Sequence, residues 1–399
     1  FSSIFLERFE RRDTLTMDHH TVIIGAGYGG LMTALRLQRQ PTRVTLINAA
    51  AAFVKRIRLH QIAAGHQFQT LNLHDFLANT SVRFVQAYVR DIQPDHKQVV
   101  LNDNVISYDT LVIATGSHVD RDTIPCIREH AYTLDAASAN QLRDHIAPGK
   151  RMLIVGGGLT GIEAAAEFAD TLQVGLVTRD TPGVGMSEGA ARYTRDSLLR
   201  RGVELHEGVN VRAIHRDHLD TDSGRMDFDL CLWAGGFRAN PLAAKAGFSV
   251  NERGQMLLCD TLQSIDSNDV YAVGDAGYVS MQNGAPLRMA CATAMPMGVH
   301  VADNISRQLK GEPPQTFDFG YAVQCIGLGR GNALAQFVRA DDSPRAHQLT
   351  GLAGSIVKEF ISGYTMFSLH LEKRLPGSYR YPKGMRAVSD TQKVERQSV

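Results

Sequence analysis

The stretch "TVIIGAGYGG" at residues 21–30 decides the fold. An apolar run is followed by the glycine-rich turn "GAGYGG" at 25–30 and by "LMTALRLQRQ", which has the composition of a helix and stops before Pro41. These segments predict a strand over 21–25 and a helix over 29–40, and "RVTLIN" at 43–48 predicts a second strand. The result is a β-α-β unit of the kind that binds a dinucleotide.

The same pattern occurs a second time in the chain. "RMLIV" at 151–155 precedes the turn "GGGLTGIE" at 156–163, a helix through Asp170 follows, and "QVGLVT" at 173–178 predicts the closing strand. A repeated supersecondary unit indicates a repeated function. The sequence therefore predicts two nucleotide sites.

Both turns carry glycines at the spacing G-x-G-x-x-G. Only glycine lets the backbone approach a pyrophosphate closely, and the free N–H groups at the start of the following helix bind the phosphates. The predicted phosphate-binding glycines are Gly25, Gly27 and Gly30 in the first turn, and Gly156, Gly158 and Gly161 in the second.

The position expected to bind ribose lies about 20 residues after the first glycine and is usually acidic. Asn48 stands there in the first copy and Thr178 in the second, followed by Arg179. Asn48 can still accept a ribose hydroxyl. Thr178 removes a carboxylate and Arg179 can bind a 2′-phosphate, which favours NADPH or use of both coenzymes, although Arg179 is equally compatible with a solvated loop.

Two further strand-like runs, "YDTLVIATGS" at 108–117 and "NDVYAVGDAG" at 268–277, bracket the second unit. We therefore predict an α/β protein in which one Rossmann-like domain is inserted into another, with a small C-terminal α+β segment after the turn-rich "GEPPQ". That segment combines strand-like runs, "FGYAVQCIGL" and "ALAQFV", with a helix near 355–373. The predicted parts are 17–118 and 241–310 for the first domain, 119–240 for the inserted domain, and 311–399 for the C-terminal segment.

Composition excludes several classes of protein. The 42 Lys and Arg residues balance 41 Asp and Glu residues, so no overall positive field attracts nucleic acid. No stretch reaches the roughly 18–20 apolar residues of a membrane span. Five scattered cysteines without a C-x-x-C pair indicate a reducing compartment and no metal site. Met17 directly precedes the first strand, and we expect the native chain to start there.

With both turns, "ATGS" and "VGDAG", the chain resembles the flavoproteins that have two dinucleotide-binding domains. In that family the first domain binds FAD and the inserted domain binds NAD(P)H. The resemblance implies that Gly274 and Asp275 bind the ribityl and pyrophosphate part of FAD, that Glu163 lies beside the nicotinamide ribose, and that further FAD contacts come from Val89, Ala114, Thr115 and Gly116. Glu163 is also compatible with an ordinary helix carboxylate.

Within this superfamily the chain looks most similar to type II NADH dehydrogenases. "KRIRLHQIAAG" at 55–65 resembles their stretch beside the flavin, and it offers Arg56, Arg58 and His60 to stabilise negative charge or to bind an acidic substrate. A solvated or core-capping role is the alternative for these side chains. "RMACATAMPMGVHVADNI" at 288–305 resembles the helix whose start underlies the flavin and helps to form a quinone pocket, which implies cofactor contacts by Thr293 and Ala294. Ala294-Met295 replaces the usual Ala-Gln, so a polar handle for quinone is missing.

The cysteine positions narrow the chemistry. Residues 18–125 contain no cysteine, which argues against disulfide reduction and against cysteine-based peroxide reduction. Sulfide:quinone reductases use later cysteines, but Cys126 and Cys325 lie on apolar stretches typical of unreactive buried thiols. Cys291, at a helix start, is compatible either with a lowered thiol pKa or with simple packing.

The last segment raises the question of membrane contact. Val357, Phe360, Ile361, Tyr364 and Leu371 fall near helical spacing and basic residues follow. We expect this stripe to pack on the FAD domain or to form a homodimer contact, because apolar helix stripes usually belong to a core. The predicted location is cytoplasmic, with at most peripheral contact at the inner face of the membrane.

These inferences predict an FAD-dependent oxidoreductase. NAD(P)H reduces the flavin, and a small acceptor such as a quinone reoxidises it. Two alternatives stay open: a specialised flavoenzyme that oxidises or reduces one metabolite, and an NAD(P)H-sensing flavoprotein without rapid turnover.

Overall fold

The structure, a computed structural model, describes residues 18–389, so the expected start at Met17 lies outside the described residues. Its first β-α-β unit consists of β1 (His20–Ile24), α1 (Tyr28–Leu37) and β2 (Arg43–Asn48). The helix ends three residues before the predicted position 40. Pro41 disfavours helical backbone in the residue before it, which explains the earlier end.

The rest of the first segment adds short elements and a three-stranded antiparallel sheet made of residues 89–93, 98–101 and 105–107. The elements are β3 (Ala52–Phe53), α2 (Leu59–Ala63), β4 (Leu71–Asn72), α3 (Leu73–Leu77), β5 (Arg83–Gln86), β6 (Val89–Gln93), β7 (Gln98–Leu101), β8 (Val105–Ser107), β9 (Thr110–Ile113) and β10 (Ser117–Val119), with 3-10 turns at Arg56–Arg58 and Pro94–His96.

The second unit repeats this plan. Its elements are α4 (Ile127–His130), β11 (Tyr132–Thr133), α5 (Ala136–His145), β12 (Arg151–Val155), α6 (Leu159–Phe168), β13 (Gln173–Thr178), α7 (Glu188–Arg200), β14 (Glu204–Glu207), β15 (Val211–Ile214), β16 (His218–Thr221), β17 (Gly224–Asp227), β18 (Leu230–Trp233) and β19 (Phe237–Ala239). Strands β15, β16 and β17 form an antiparallel sheet, and the parallel sheet has the order β11-β18-β12-β13-β14.

The chain then returns to the first sheet. This part contains α8 (Leu242–Lys245), β20 (Met256–Leu257), β21 (Val270–Ala272), a 3-10 turn at Gly274–Ala276, β22 (Gly277–Tyr278), β23 (Ser280–Met281) and α9 (Cys291–Gln308). Strand β21 pairs in parallel with β9, which gives the order β21-β9-β1-β2-β5. The first sheet is therefore built from segments on both sides of the second, and the antiparallel pair β10 and β19 joins the two units.

The C-terminal segment contains β24 (Val323–Gly327), β25 (Ala333–Val338), β26 (Pro344–Thr350), α10 (Gly351–Arg374) and β27 (Ala387–Val388). Ile326, Leu328 and Leu334 of its sheet join the hydrophobic core of the second unit, whereas Phe317 and Leu369 join that of the first. The segment thus bridges both units. The predicted α/β class with two Rossmann-like units and a C-terminal α+β segment is confirmed; the domain boundaries stay predictions.

Candidate flavin and nicotinamide site

The three predicted phosphate-binding glycines of the first turn have two different steric roles. Gly25 has φ +104°, and a Cβ there would lie 2.3 Å from the carbonyl oxygen of Ala114. A Cβ on Gly30 would lie 1.9 Å from the carbonyl oxygen of Gly25, so these two glycines allow the turn to pack. A Cβ on Gly27 would meet nothing within 4 Å. The space beside Gly27, at the start of α1, is open for a ligand.

The second turn reproduces this division. Gly156 has φ +123°, and a Cβ there would lie 2.7 Å from the carbonyl oxygen of Ala234. A Cβ on Gly161 would lie 1.9 Å from the Gly156 oxygen, whereas Gly158 again faces open space. Each turn therefore presents one ligand-facing glycine at a helix start, the arrangement that a pyrophosphate requires.

Residues around the first turn fit FAD. Thr115 in "ATG" has a buried hydroxyl oxygen without a hydrogen-bond partner, which a bound ligand can satisfy. Ala114 is buried and contacts the first turn, and Gly116 follows with φ +66°. Val89 begins β6 and packs half-buried against the core of the first unit. The first turn and "ATG" thus lie at adjacent strand ends of the sheet.

The segment "VGDA" closes this side of the site. A Cβ on Gly274 would lie 2.9 Å from Cβ of Ala294, so the 3-10 turn packs directly on the start of α9. The Asp275 carboxylate accepts a 2.6 Å hydrogen bond from the Ser117 hydroxyl. The Thr293 hydroxyl donates to backbone carbonyls before α9 at 2.8 Å, so it stabilises the helix start.

The second turn opens into a cleft of about 930 Å³. Its walls include the Gly156–Gly158 turn, Thr178, the exposed Arg179, and Trp233. Arg238 and Arg253 also line the cleft, and Arg238 pairs with Asp120 at 2.7 Å. The volume suits a dinucleotide, and the lining carries both arginines and the carboxylates of Asp120, Asp180 and Glu252.

A charged cluster lies where the three parts of the chain meet. Glu163 of α6 accepts a 2.8 Å hydrogen bond from the backbone N–H of Gly327 and lies 3.4 Å from the Lys358 ammonium of α10. Its other oxygen lies 3.9 Å from Nδ1 of His60 on α2. Burial lowers the pKa of His60, so its imidazole is neutral near pH 7. Glu163 is thus the point of contact among α2, α6, β24 and α10.

The two arginines near the predicted flavin position are already engaged by protein groups. Arg58 forms a bidentate pair with Glu359 at 2.5 and 2.8 Å, and this pair lowers the Glu359 pKa. Arg56 donates to the Ser117 carbonyl at 2.8 Å and lies 3.8 Å from Asp275. Arg58 therefore ties the first unit to α10, and Arg56 supports the Asp275 carboxylate.

All five cysteines are free thiols. Cys126 is exposed, contrary to the expectation of a buried thiol, because it precedes α4 in a left-handed turn with φ 65°. Burial raises the pKa of Cys291 and of Cys325 to about 11. The packing interpretation of Cys291 therefore agrees with the structure, since burial and the nearby Asp275 both raise its thiol pKa.

The predicted stripe of α10 packs on the FAD domain only in part, because Phe360 and Tyr364 are exposed while Val357, Ile361 and Leu371 are half-buried. The alternative of a homodimer contact stays a prediction. The exposed large side chains run along the whole helix: Leu352, Ile356, Phe360, Tyr364 and Phe367. Phe360 is 72% exposed, whereas Lys358 and Glu372 are buried. Lys358 and Glu372 share the inner face with the buried Leu369, because Glu163 and Arg36 provide ionic partners there. Within residues 18–389, no helix is long and apolar enough to cross a membrane.

The family model for pyridine nucleotide-disulphide oxidoreductases matches residues 19–302, which include both glycine-rich turns and "VGDA". The chain belongs to this family. It is 27% identical to an NADH dehydrogenase-like protein of Mycobacterium tuberculosis over 78% of this chain and 86% of the relative. It is 26% identical to a type II NADH:quinone oxidoreductase of Staphylococcus aureus over 87% of this chain and 95% of the relative.

The fold is also similar to that of the sulfide:quinone oxidoreductase of Aquifex aeolicus, with a TM-score of 0.76 at 19% identity over 90% of this chain and 93% of the other. This pyridine nucleotide-disulphide oxidoreductase is an enzyme with FAD and NAD(P)H as its cofactors, as predicted. The role of each site residue stays a prediction.

Three site residues were missed by sequence reasoning: Ser117, Gly327 and Lys358. Gly327 and Lys358 are 164 and 195 positions from Glu163 in the sequence, and only the packing of the C-terminal segment brings them together. A usable signal existed for Lys358, because a lysine inside the apolar run "SIVKEFI" requires a buried partner.

Proposed function

We propose that this enzyme transfers reducing equivalents from NAD(P)H through FAD to a quinone at a membrane surface. The observation that carries the proposal is the two-sided nature of α10. Its inner face places Lys358 at Glu163, and its outer face exposes a continuous apolar stripe. A helix of this kind can meet lipid while it supports a redox site. The similarity to a type II NADH:quinone oxidoreductase agrees with this acceptor.

Bound FAD supplies the redox chemistry, since it takes a hydride from a nicotinamide and passes two electrons to an acceptor. The chain supplies binding and orientation. Gly27, with Thr115 and Asp275, would hold the FAD, and Asn48 would hold its ribose. Gly158 would hold the nicotinamide nucleotide in the large cleft. Gly25 and Gly30, like Gly156 and Gly161, allow the two turns to adopt the shape that this binding requires.

The Glu163 cluster orders the reaction centre. Its carboxylate fixes the Gly327 backbone and the Lys358 ammonium. The side chains of Glu163 and Lys358 are largely removed from water. A buried cation stabilises negative charge that develops on an oxygen acceptor more strongly than a solvated cation does. We assign this electrostatic role to Lys358, with Glu163 as its positioning residue. In this proposal Lys358 takes the role of the polar quinone handle that Ala294-Met295 lacks.

The donor preference follows from the end of β13. The Thr178 side chain is buried, and Arg179 is exposed at the rim of the cleft. No carboxylate stands at either position to repel a 2′-phosphate. We therefore propose that NADPH is accepted at least as well as NADH.

The test is an anaerobic stopped-flow experiment on the FAD-loaded protein, followed at about 450 nm. Mixing with NADH or NADPH should bleach the flavin, and a soluble quinone such as ubiquinone-1 should restore the colour within a catalytic turnover. Slow reoxidation by every acceptor would support a sensing flavoprotein instead. Bleaching by a metabolite without NAD(P)H would support the specialised enzyme.

A further inference from the structure

We propose that His66, Glu167, His60 and Glu163 form a proton path from solvent to the acceptor side of the site. The inference rests on the proposed quinone reductase function. It assigns a role to two ionisable side chains, His66 and Glu167, that are not among the proposed cofactor contacts.

The outer half of the path begins at the surface. His66 follows α2, and its side chain is 48% exposed. Its Nε2 lies 2.8 Å from Oε1 of Glu167, whose side chain is only 11% exposed. A proton can therefore pass from water to an exposed imidazole and then to a largely buried carboxylate.

The inner half lies on the same face of α6. Glu167 and Glu163 are four residues apart, so their side chains are neighbours on one helix face. His60 of α2 lies on this side of α6, and its Nδ1 is 3.9 Å from Oε2 of Glu163. Glu163 in turn lies 3.4 Å from the Lys358 ammonium. The path thus ends at the group that we assign to the acceptor.

His60 is suited to the middle position. The charged groups around it are Glu163 and Glu167 from α6, Lys358 from α10 and Arg58 from its own segment. The buried imidazole is neutral near pH 7, and a neutral imidazole accepts a proton on one nitrogen while it donates from the other. Proton transfer through His60 therefore leaves no unpaired charge in the interior.

The overall reaction requires such a path. NAD(P)H provides a hydride, which is two electrons and one proton, whereas a quinone takes two electrons and two protons to become a quinol. The balance is NAD(P)H + H⁺ + quinone → NAD(P)⁺ + quinol. One proton per turnover must come from solution, and the surrounding protein excludes bulk water from His60, which is 5% exposed.

The test uses Glu167→Gln in the FAD-loaded enzyme, because glutamine keeps the size of the side chain but cannot carry the proton. We expect the rate of ubiquinone-1 reduction at pH 7 to fall about a hundredfold, the lower end of the usual effect of one general acid or base. The solvent deuterium isotope effect should rise, and added imidazole should restore part of the rate. With ferricyanide, an acceptor that takes up no proton, the fold decrease in reduction rate should be at least fivefold smaller than with ubiquinone-1.

A readout independent of turnover is the imidazole ¹⁵N NMR signal of His60, which should move in Glu167→Gln. His218→Gln is the matched control, because His218 pairs with Asp217 at 2.6 Å on the surface of the second unit. Equal losses with quinone and ferricyanide, or an unchanged isotope effect, would overturn the proton path but leave the quinone reductase function intact. Failure of the wild-type enzyme to reduce any quinone would overturn both.

Discussion

The amide oxygen of Asn48 accepts a 3.0 Å hydrogen bond from the backbone N–H of Ala26. The last residue of β2 therefore holds the middle of the first glycine-rich turn, in addition to its predicted contact with ribose. A side chain amide oxygen has two lone pairs, so both interactions are compatible.

Asn48→Ala should weaken FAD binding about fivefold, since one hydrogen bond of about 1 kcal/mol is lost. Titration of the flavin-free protein with FAD, followed by flavin fluorescence, measures this change. Asn102→Ala is the control, because Asn102 accepts a hydrogen bond from Arg90 on the exposed antiparallel sheet. Equal FAD affinities of wild type and Asn48→Ala would show that the turn does not depend on Asn48.

The two open glycines provide a matched pair of variants. Gly27→Val should fold but lose its flavin, because the new side chain occupies the ligand space without a clash inside the protein. Gly158→Val should keep its flavin and lose NAD(P)H binding. Circular dichroism checks folding, and absorbance near 450 nm checks flavin content. A fully yellow Gly27→Val protein would contradict the assignment of the first turn to FAD.

Arg179→Ala should raise the Kd of NADPH about tenfold and leave that of NADH nearly unchanged, since a charged hydrogen bond to the 2′-phosphate is lost. The wild-type preference should also shrink at high salt, because Arg179 is exposed. The rate and amplitude of flavin bleaching at graded coenzyme concentrations provide the Kd of NADPH and the Kd of NADH. Arg192→Ala, on the surface of α7, serves as the control. The same effect on both coenzymes would remove the specificity role.

His300 predicts how stability depends on pH. It is buried beside the Gln315 carbonyl, to which its Nε2 lies at 2.9 Å, and burial lowers its pKa to about 4. The unfolded chain takes up the proton first, near pH 6.5, so stability is full above that pH and falls as the pH drops toward 4. The slope from this group approaches about 1.4 kcal/mol per pH unit.

Urea unfolding between pH 4.5 and 8 tests this dependence by comparing wild type with His300→Gln. In His300→Gln the free energy of unfolding should depend less steeply on pH than in wild type, whatever its value at pH 8. In the control, His96→Gln at an exposed position, it should depend on pH as steeply as in wild type. A wild-type slope that His300→Gln leaves unchanged would assign the acid sensitivity to other groups.

The outer face of α10 predicts lipid binding. Phe360→Ser combined with Phe367→Ser should reduce binding to anionic liposomes at least tenfold, because each of these exposed side chains would contribute about 1.5–3 kcal/mol when lipid buries it. Co-sedimentation with liposomes measures the change, and retained flavin shows that the fold is intact. Leu199→Ser is the control, since Leu199 is 45% exposed on the second unit. Unchanged liposome binding together with dissociation of a dimer would assign the stripe to subunit contact.

The sequence predicted both β-α-β units because their signals are local. Strand, glycine turn and helix are adjacent in the chain, and the observed β2, β12 and β13 have the predicted bounds. The need for glycine at positions 25 and 30 likewise comes from close contacts within the first unit, with Ala114 and with the turn itself. Local periodicity and turn chemistry are sufficient at such positions.

The orientation of α10 could not be predicted in the same way. Apolar residues at helical spacing normally indicate the buried face, but Lys358 and Glu372 find ionic partners in Glu163 and Arg36, which come from other units of the chain. These long-range pairs make the polar face the inner one. The periodicity of apolar residues indicates that a helix has two faces, but the contacts that it makes with other segments determine which face is buried.

The interrupted order of the first sheet has a consequence for the nascent chain. Strand β9 ends at Ile113, but its neighbour β21 does not emerge from the ribosome until Ala272 has been made. Every strand of the second sheet, from β11 to β18, is complete by Trp233. During synthesis the inserted unit can therefore close first, while the first unit waits with one sheet edge unpaired until β21 is available.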